Sequence, residues 1–186
     1  MWYPIRDFTL SEAKLFLRKD FAKVVKRTKY LYVETKPREN IGYGFFEPIL
    51  LCLCWCDFLG ALYTGDGRGV RDGGIGNKKR SEVFINEVLT AVNSNYGNVS
   101  DDLIKVYRNG TVHAYAPAGV FDIRVSDANQ HLKINRGVLT ISIEHLLDDM
   151  MKAIEYFAKI LHRDSKSLNK GSLAAFNKGR RELELK

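Results

Sequence analysis

The most restrictive feature of the sequence is an apolar run from residue 45 to residue 63. A stretch this hydrophobic is buried, either inside a protein or in a bilayer. A membrane span needs about 20 mostly uncharged residues, whereas Glu47, Pro48 and Asp57 interrupt this run. We therefore predict a buried helix at the centre of the domain and no membrane association.

All three cysteines, Cys52, Cys54 and Cys56, lie in this run. An odd number of cysteines in one apolar helix is not a disulfide framework, and their spacing does not supply four tetrahedral zinc ligands. We predict buried, unreactive thiols, no metal and no cofactor. The cysteine usage and the absence of a secretory leader pattern indicate a cytoplasmic protein.

The chain has 186 residues, of which 45% are hydrophobic, and this composition suits one globular domain with a real core. The 29 lysines and arginines exceed the 22 acidic residues and give a net charge of +7. A basic surface attracts polyanions, so nucleic acid is a reasonable class of partner.

The first predicted helix runs from Thr9 to about Tyr30, because Thr9 and Glu12 have the spacing of a capping box. Its apolar residues at three- and four-residue steps are Leu10, Ala13, Leu17, Phe21, Val24 and Leu31. Its cations are Lys14, Arg18, Lys23, Lys26, Arg27 and Lys29. This basic side of the helix is either simply solvated or in contact with phosphates.

Further helices are predicted from Ser81 to about residue 93 and from Ser100 to about residue 115. Alternating apolar and polar residues then predict three short strands within residues 120–143, before a last long helix to His162. The expected fold is mainly α: a bundle of about five helices with a small antiparallel β meander inserted before the last long helix. Residues 1–162 would form this single domain, and residues 163–186 a polar, basic C-terminal tail.

A glycine-rich basic segment spans residues 65–80. It lacks the Gly-Lys-Ser/Thr ending of a P-loop and the strict glycine spacing of a dinucleotide fingerprint. It is either a flexible connector or a loop whose cations bind a nucleic-acid backbone. Those cations are Arg68, Arg71, Lys78, Lys79 and Arg80. A weaker alternative is a nucleotide-handling enzyme that uses residues 65–76.

Residues 108–115 carry the residues best suited to chemistry. Arg108 is followed directly by Asn109, and four residues separate Arg108 from His113. Arginine stabilises charge on phosphoryl oxygens, histidine moves protons near neutral pH, and an amide orients either partner. The structural alternative is that Arg108 pairs with an acidic residue and His113 caps its helix. The other histidines fall in separate predicted elements, so no metal site is expected from them.

This Arg-Asn-x3-His pattern on the fourth helix of a small helical domain resembles the HEPN superfamily, whose signature is arginine, four to six residues, then histidine. The resemblance implies a helical bundle that dimerises and brings two motifs into one cleft. It also implies metal-independent RNA cleavage, in which a ribose 2′-hydroxyl attacks the adjacent phosphate, in a toxin–antitoxin or defence system.

The expected function is therefore that of a HEPN-like RNA-binding protein or metal-independent endoribonuclease, acting as a cytoplasmic homodimer. Arg108 would hold phosphate, His113 would transfer the proton, and Asn109 and Tyr115 would position RNA, with Tyr115 also able to stack on a base. An antitoxin-like protein is a possible partner. The alternative is a catalytically inactive protein-interaction module with the same helical fold.

Overall fold

The computed structural model describes residues 6–35, 47–106, 121–163 and 168–184, which form six helices and a three-stranded sheet. In chain order these are α1 (residues 10–34), α2 (Glu47–Thr64), α3 (residues 76–92), α4 (Asn95–Val106), β1 (Phe121–Arg124), β2 (Lys133–Asn135), β3 (Val138–Ser142), α5 (Ile143–Ile160) and α6 (Leu173–Glu184). The predicted fold class is confirmed, since the protein is mainly helical and a small sheet directly precedes the long helix α5.

The N-terminus of α1 forms the predicted capping box. The Thr9 hydroxyl accepts from the Glu12 backbone N–H, and the Glu12 carboxylate accepts from the Thr9 backbone N–H at 2.8 Å. These bonds satisfy donors that the first helical turn otherwise leaves without a partner. The start of α1 is therefore encoded locally, as the sequence predicted.

The interior of α1 departs from the predicted α-helical geometry. Two π-helical segments, Phe16–Phe21 and Tyr30–Glu34, flank the α-helical segment Ala22–Lys29. A π turn holds more residues than an α turn, so it changes which later residues face the core. Val25 is buried, whereas the predicted inward residues Val24 and Leu31 are 46% and 44% exposed. The prediction for Val24 and Leu31 is wrong for this reason.

Helix α2 is the buried helix that its apolar sequence predicts. Cys52 and Cys56 are buried, as predicted, whereas Cys54 is exposed, so the prediction of burial is wrong for Cys54. Burial raises the pKa of the Cys52 and Cys56 thiols, which keeps them protonated and unreactive. By length and composition α2 is the one described helix that could cross a bilayer, but 61% of it is buried inside the protein. Core helices of soluble proteins meet the same criterion, so this property is weak evidence for a span.

Helices α3 and α4 begin earlier than predicted. Helix α3 starts at Gly76 rather than Ser81, and α4 starts at Asn95 rather than Ser100. The two serines are buried inside their helices instead of capping them. Tyr96 in the first turn of α4 is fully buried, so tertiary packing extends this helix beyond its predicted cap.

The three strands form a sheet in the order β1-β3-β2. The β2–β3 hairpin is antiparallel, as predicted, and turns through Arg136 and Gly137, which have φ values of 52° and 80°. Strand β1 instead pairs with β3 in parallel, from Phe121↔Leu139 to Arg124↔Ser142. A simple antiparallel meander would place β2 in the centre. Strand β3 takes that place because four of its five residues are buried, while all three residues of β2 are exposed.

Helix α6 belongs to the core, although the sequence analysis assigned its residues to a polar tail. Phe176 is fully buried, and Gly179 approaches α2 so closely that a Cβ atom there would collide with the carbonyl oxygen of Ala61. The Asn177 side chain accepts from the backbone N–H of Phe8 at 2.8 Å and donates to its carbonyl at 2.9 Å. These contacts join the first and last described segments.

Candidate nucleic-acid interface

The predicted catalytic residues Arg108, Asn109 and His113, and the predicted substrate-binding residue Tyr115, lie outside the described residues. The described chain reaches Val106 at the end of α4 and resumes at Phe121 in β1. The cations of the glycine-rich segment and of α1 are described, and their environments differ.

Arg80 is a buried structural residue rather than an exposed phosphate ligand. Its side chain is 6% exposed, and its Nε and Nη2 atoms donate to the two carboxylate oxygens of Asp57 on α2, at 2.6 and 3.2 Å. Its Nη1 atom donates to the carbonyl of Arg68 at 2.7 Å. A two-point ion pair of this kind fixes geometry strongly. Arg80 therefore attaches the glycine-rich segment to α2.

Three other cations of the segment also have carboxylate partners. Arg68 lies 3.5 Å from Asp66 and 3.4 Å from Glu182 of α6. Lys78 and Lys79 lie 3.3 and 3.2 Å from Glu82. Arg71 is exposed and forms no ion pair with any residue that the structure describes. Four of the five predicted phosphate-binding cations thus have a carboxylate within 4 Å, which cancels most of their field.

The backbone of the segment is ordered by the same acidic side chains. The Gly67 N–H donates to Glu182 at 2.7 Å, and the N–H groups of Arg68 and Ile75 donate to Asp66 at 3.0 and 3.3 Å. Burial alone would raise the pKa of Asp66, but the bonds from Arg68 and Ile75 lower it below its usual value. Gly74 is required by close packing, since a Cβ atom there would lie 2.5 Å from the Arg68 carbonyl oxygen. Hydrogen bonds and close packing therefore fix the conformation of the segment, so it is not a flexible connector.

Apart from Lys14, which is half-buried, the cations of α1 divide into two groups. Arg18 donates to both carboxylate oxygens of Glu155 on α5, at 2.9 and 2.8 Å. Lys29 lies 2.6 Å from Asp148 and 3.6 Å from Glu144, also on α5. These two cations therefore form ion pairs between α1 and α5, and the carboxylates of α5 neutralise their charges.

The remaining exposed cations form what we call the α1 basic face: Lys19, Lys23, Lys26 and Arg27. None of these four side chains forms an ion pair within the described part of the chain. Three exposed apolar side chains lie among them, Val24, Tyr30 and Leu31, with exposures of 46%, 55% and 44%. This surface combines apolar contact area with positive charge that no carboxylate of the described ranges neutralises by an ion pair.

A buried polar network connects α4, the sheet and α5, and the sequence analysis did not predict it. The Nδ1 atom of His131 accepts from the Ser142 N–H at 3.1 Å, so the ring proton is on Nε2. That Nε2 atom lies 3.6 Å from the Asp149 carboxylate and 3.4 Å from the Tyr96 hydroxyl. Burial would raise the pKa of Asp149, but the close His131 ring and the hydrogen bonds from Asn93 and Lys152 outweigh burial and hold the pKa at about 2.

This network is closed to solvent, because Tyr96, Asp149 and His131 are 0%, 5% and 6% exposed. A substrate therefore has no access to these groups, and the network serves to hold three elements together. The His131 and His145 rings nevertheless lie only 5.9 Å apart, although they belong to different elements. Within residues 6–35, 47–106, 121–163 and 168–184, no three His, Cys, Asp or Glu side chains are grouped to hold a metal ion.

Asp149 falls among the buried residues of α5, and a carboxylate on the inward side of a helix needs polar partners, so this position was the sequence signal that could have located the network. Comparisons of the chain with protein-family models, with curated proteins and with solved structures found no match. Support for a function therefore comes from the residues of this chain.

Proposed function

We propose that this protein binds RNA through the α1 basic face. The observation that carries the proposal is that Lys19, Lys23, Lys26 and Arg27 are exposed without a carboxylate partner among the described residues. Like charges gathered on one side of a helix produce a local positive potential. Phosphates of a nucleic acid complement such a potential, and binding releases the counterions condensed on the strand.

The second part of the proposal is metal-independent cleavage of the bound RNA by a homodimer. Arg108 would stabilise charge on the phosphoryl oxygens, and His113 would take the proton from the attacking 2′-hydroxyl. Asn109 and Tyr115 would position the substrate. Support for this part comes from the sequence motif and its resemblance to the HEPN superfamily, which would also place the protein in the cytoplasm as part of a toxin–antitoxin or defence system.

Binding is tested with a labelled single-stranded 2′-O-methyl RNA, which cannot be cleaved through its 2′ position, using fluorescence anisotropy at several salt concentrations. The double variant Lys23→Gln/Arg27→Gln is expected to bind about tenfold more weakly. For this variant the slope of log K against the logarithm of the salt concentration is expected to be less steep by about 1.4. Two phosphate contacts are lost, and each contact to a single strand contributes about 0.7 to the slope.

The matched control is Lys133→Gln/Arg163→Gln, which removes the same two residue types from exposed positions elsewhere. This control is expected to bind like the wild type. Equal weakening by both double variants would mean that net charge alone drives binding, and an absence of binding by the wild type would remove the proposal altogether.

Catalysis is tested separately, with unmodified RNA in EDTA. The wild type is expected to leave cyclic phosphate ends, and His113→Ala and Arg108→Ala are expected to lose this activity. His162→Ala replaces an exposed histidine that is not part of the motif sequence and serves as the control. RNA binding without cleavage by any of these proteins would instead support a catalytically inactive binding module.

A further inference from the structure

We infer that the α1 basic face accepts single-stranded nucleic acid and that Tyr30 is the platform on which one of its bases stacks. The inference rests on the proposed function and specifies the ligand of that same surface. The observation that supports it is the exposure of Tyr30, Val24 and Leu31 next to the cations. The proposal of RNA binding, in contrast, depends on the cations alone.

The position of Tyr30 aligns it with the cations. Residues 22–29 are regular α-helix, in which residues three, four and seven positions apart share one side. Tyr30 follows Arg27 by three residues, Lys26 by four and Lys23 by seven. Seven residues correspond to about 10 Å along the axis. A short row of positive charges on α1 therefore ends at an aromatic ring.

The exposure of Tyr30 is unusual for this helix. The rings of Phe16 and Phe21 on α1 pack against α2, with Phe21 stacked on Phe58 at a centroid distance of 5.5 Å and Phe16 at 6.4 Å from the same ring. Tyr30 is 55% exposed and makes no ring contact or side-chain hydrogen bond with the residues that the structure describes. Aromatic rings gain most of their free energy from burial, and this ring is left open to a ligand.

Two neighbours extend the apolar contact area. Val24 and Leu31 are seven residues apart, so they form a second row beside the row of Lys23, Arg27 and Tyr30. A duplex hides the faces of its bases and offers mainly phosphates and sugar hydroxyls to a protein. A single strand also offers base faces, which stack on aromatic side chains beside a basic track. The mixture of charge and exposed apolar groups therefore suits a single strand better than a duplex.

The same mixture could suggest an anionic membrane surface, but the arrangement on α1 argues against it. A membrane-surface helix places its cations and its apolar residues on opposite sides and inserts the apolar side. The continuous apolar side of α1, which includes Leu17, Phe21 and Val25, is already buried in the protein core. Outside the core, Val24 and Leu31 form only a short row beside the cations, which is too small to insert as a separate apolar side.

The test compares one 2′-O-methyl RNA strand, alone and annealed to an unmodified complementary RNA that keeps its 2′-hydroxyls, by fluorescence anisotropy. We expect the wild type to prefer the single strand. Tyr30→Ser should weaken single-strand binding about tenfold, within the range for loss of one stacked base, and leave duplex binding unchanged. Its salt dependence should equal that of the wild type because no phosphate contact is removed. Tyr30→Phe keeps the ring and should bind like the wild type.

The outcomes separate this inference from the proposed function. If Lys23→Gln/Arg27→Gln weakens binding but Tyr30→Ser does not, the stacking inference is wrong and RNA binding by the cations stands. If neither variant changes binding, both are wrong. Equal affinity for strand and duplex also overturns the inference. Binding to phosphatidylserine vesicles that depends on Tyr30, with no binding to the RNA strand, would identify a membrane surface instead.

Discussion

The α1 basic face and the glycine-rich segment are both dense in cations, and they differ in where their counter-charges lie. Four of the five cations in residues 65–80 have a carboxylate within 4 Å, supplied by Asp57, Asp66, Glu82 and Glu182. The α1 basic face has no such partner among the residues described. The positions of acidic side chains in the fold, rather than the number of cations in the sequence, therefore decide which basic region remains available to a polyanion.

The difference is partly local and partly tertiary in origin: Asp66 and Glu82 are within four residues of their partners, whereas Asp57 and Glu182 come from distant parts of the chain. Asp57 is 23 residues from Arg80, and Glu182 is 115 residues from Gly67. Only the packing of α2 and α6 brings these carboxylates to the segment. On α1, the packing of the helices pairs Arg18 and Lys29 with α5 and gives the cations on the outer side no ion-pair partner among the described residues.

The largest expected effect comes from Arg80→Ala. The substitution leaves Asp57 without its partner in a site where the Arg80 side chain is 6% exposed, and we expect a loss of about 3 kcal/mol in the free energy of unfolding. Urea denaturation measures this loss. Arg71→Ala removes an exposed cation of the same segment and should change the free energy of unfolding by less than about 0.5 kcal/mol. If Arg80→Ala weakened RNA binding but left stability unchanged, the contrast between the two basic regions would fail.

A smaller effect is expected from Glu182→Gln. The change weakens the contacts of this side chain with Arg68, Lys178 and the Gly67 N–H, at a cost of about 1 kcal/mol of stability. It also frees positive charge, so RNA affinity should rise about twofold, because surface cations each add modestly to phosphate binding. Asp101→Asn removes one exposed negative charge elsewhere. An equal rise in affinity in this control would show that net charge, not release of the segment, is responsible.

The smallest expected effect is the part of the acid dependence of stability that Asp66 of the glycine-rich segment contributes. The folded pKa of Asp66 is below its usual value of 3.8, so its stabilisation is complete above about pH 4 and is lost as the pH falls through the folded pKa. The wild type should exceed Asp66→Asn in unfolding free energy by about 0.5 kcal/mol near neutral pH, and the two should converge in acid. If the difference in unfolding free energy between the wild type and Asp66→Asn did not change with pH, this expectation would be wrong.

Features set by neighbouring residues were predictable from the sequence. The Thr9–Glu12 capping box, the burial of α2 with Cys52 and Cys56, and the tight β2–β3 turn each follow from a few adjacent side chains. The fold class followed as well, because long amphipathic helices and short alternating strands differ clearly in period.

Features set by distant residues were not predictable. The π-helical segment Phe16–Phe21 changes which side of α1 faces inward, so Val25 replaces Val24 in the core. The order in residues 65–80 requires Glu182, and the His131–Asp149 contact requires the sheet to meet α5. The roles of Arg108, Asn109 and His113 remain a prediction from the sequence motif.

The position of α6 has a consequence for how the protein folds during synthesis. Phe176 fills the centre of the core, and Asn177 holds the backbone of Phe8, which is 169 residues earlier in the chain. A ribosome delivers α6 last among the described helices, so an earlier nascent chain has an incomplete core with exposed apolar surface. We therefore expect a nascent chain stalled before residue 173 to be sensitive to protease and to need chaperone protection, and the chain to become resistant once residue 184 has emerged.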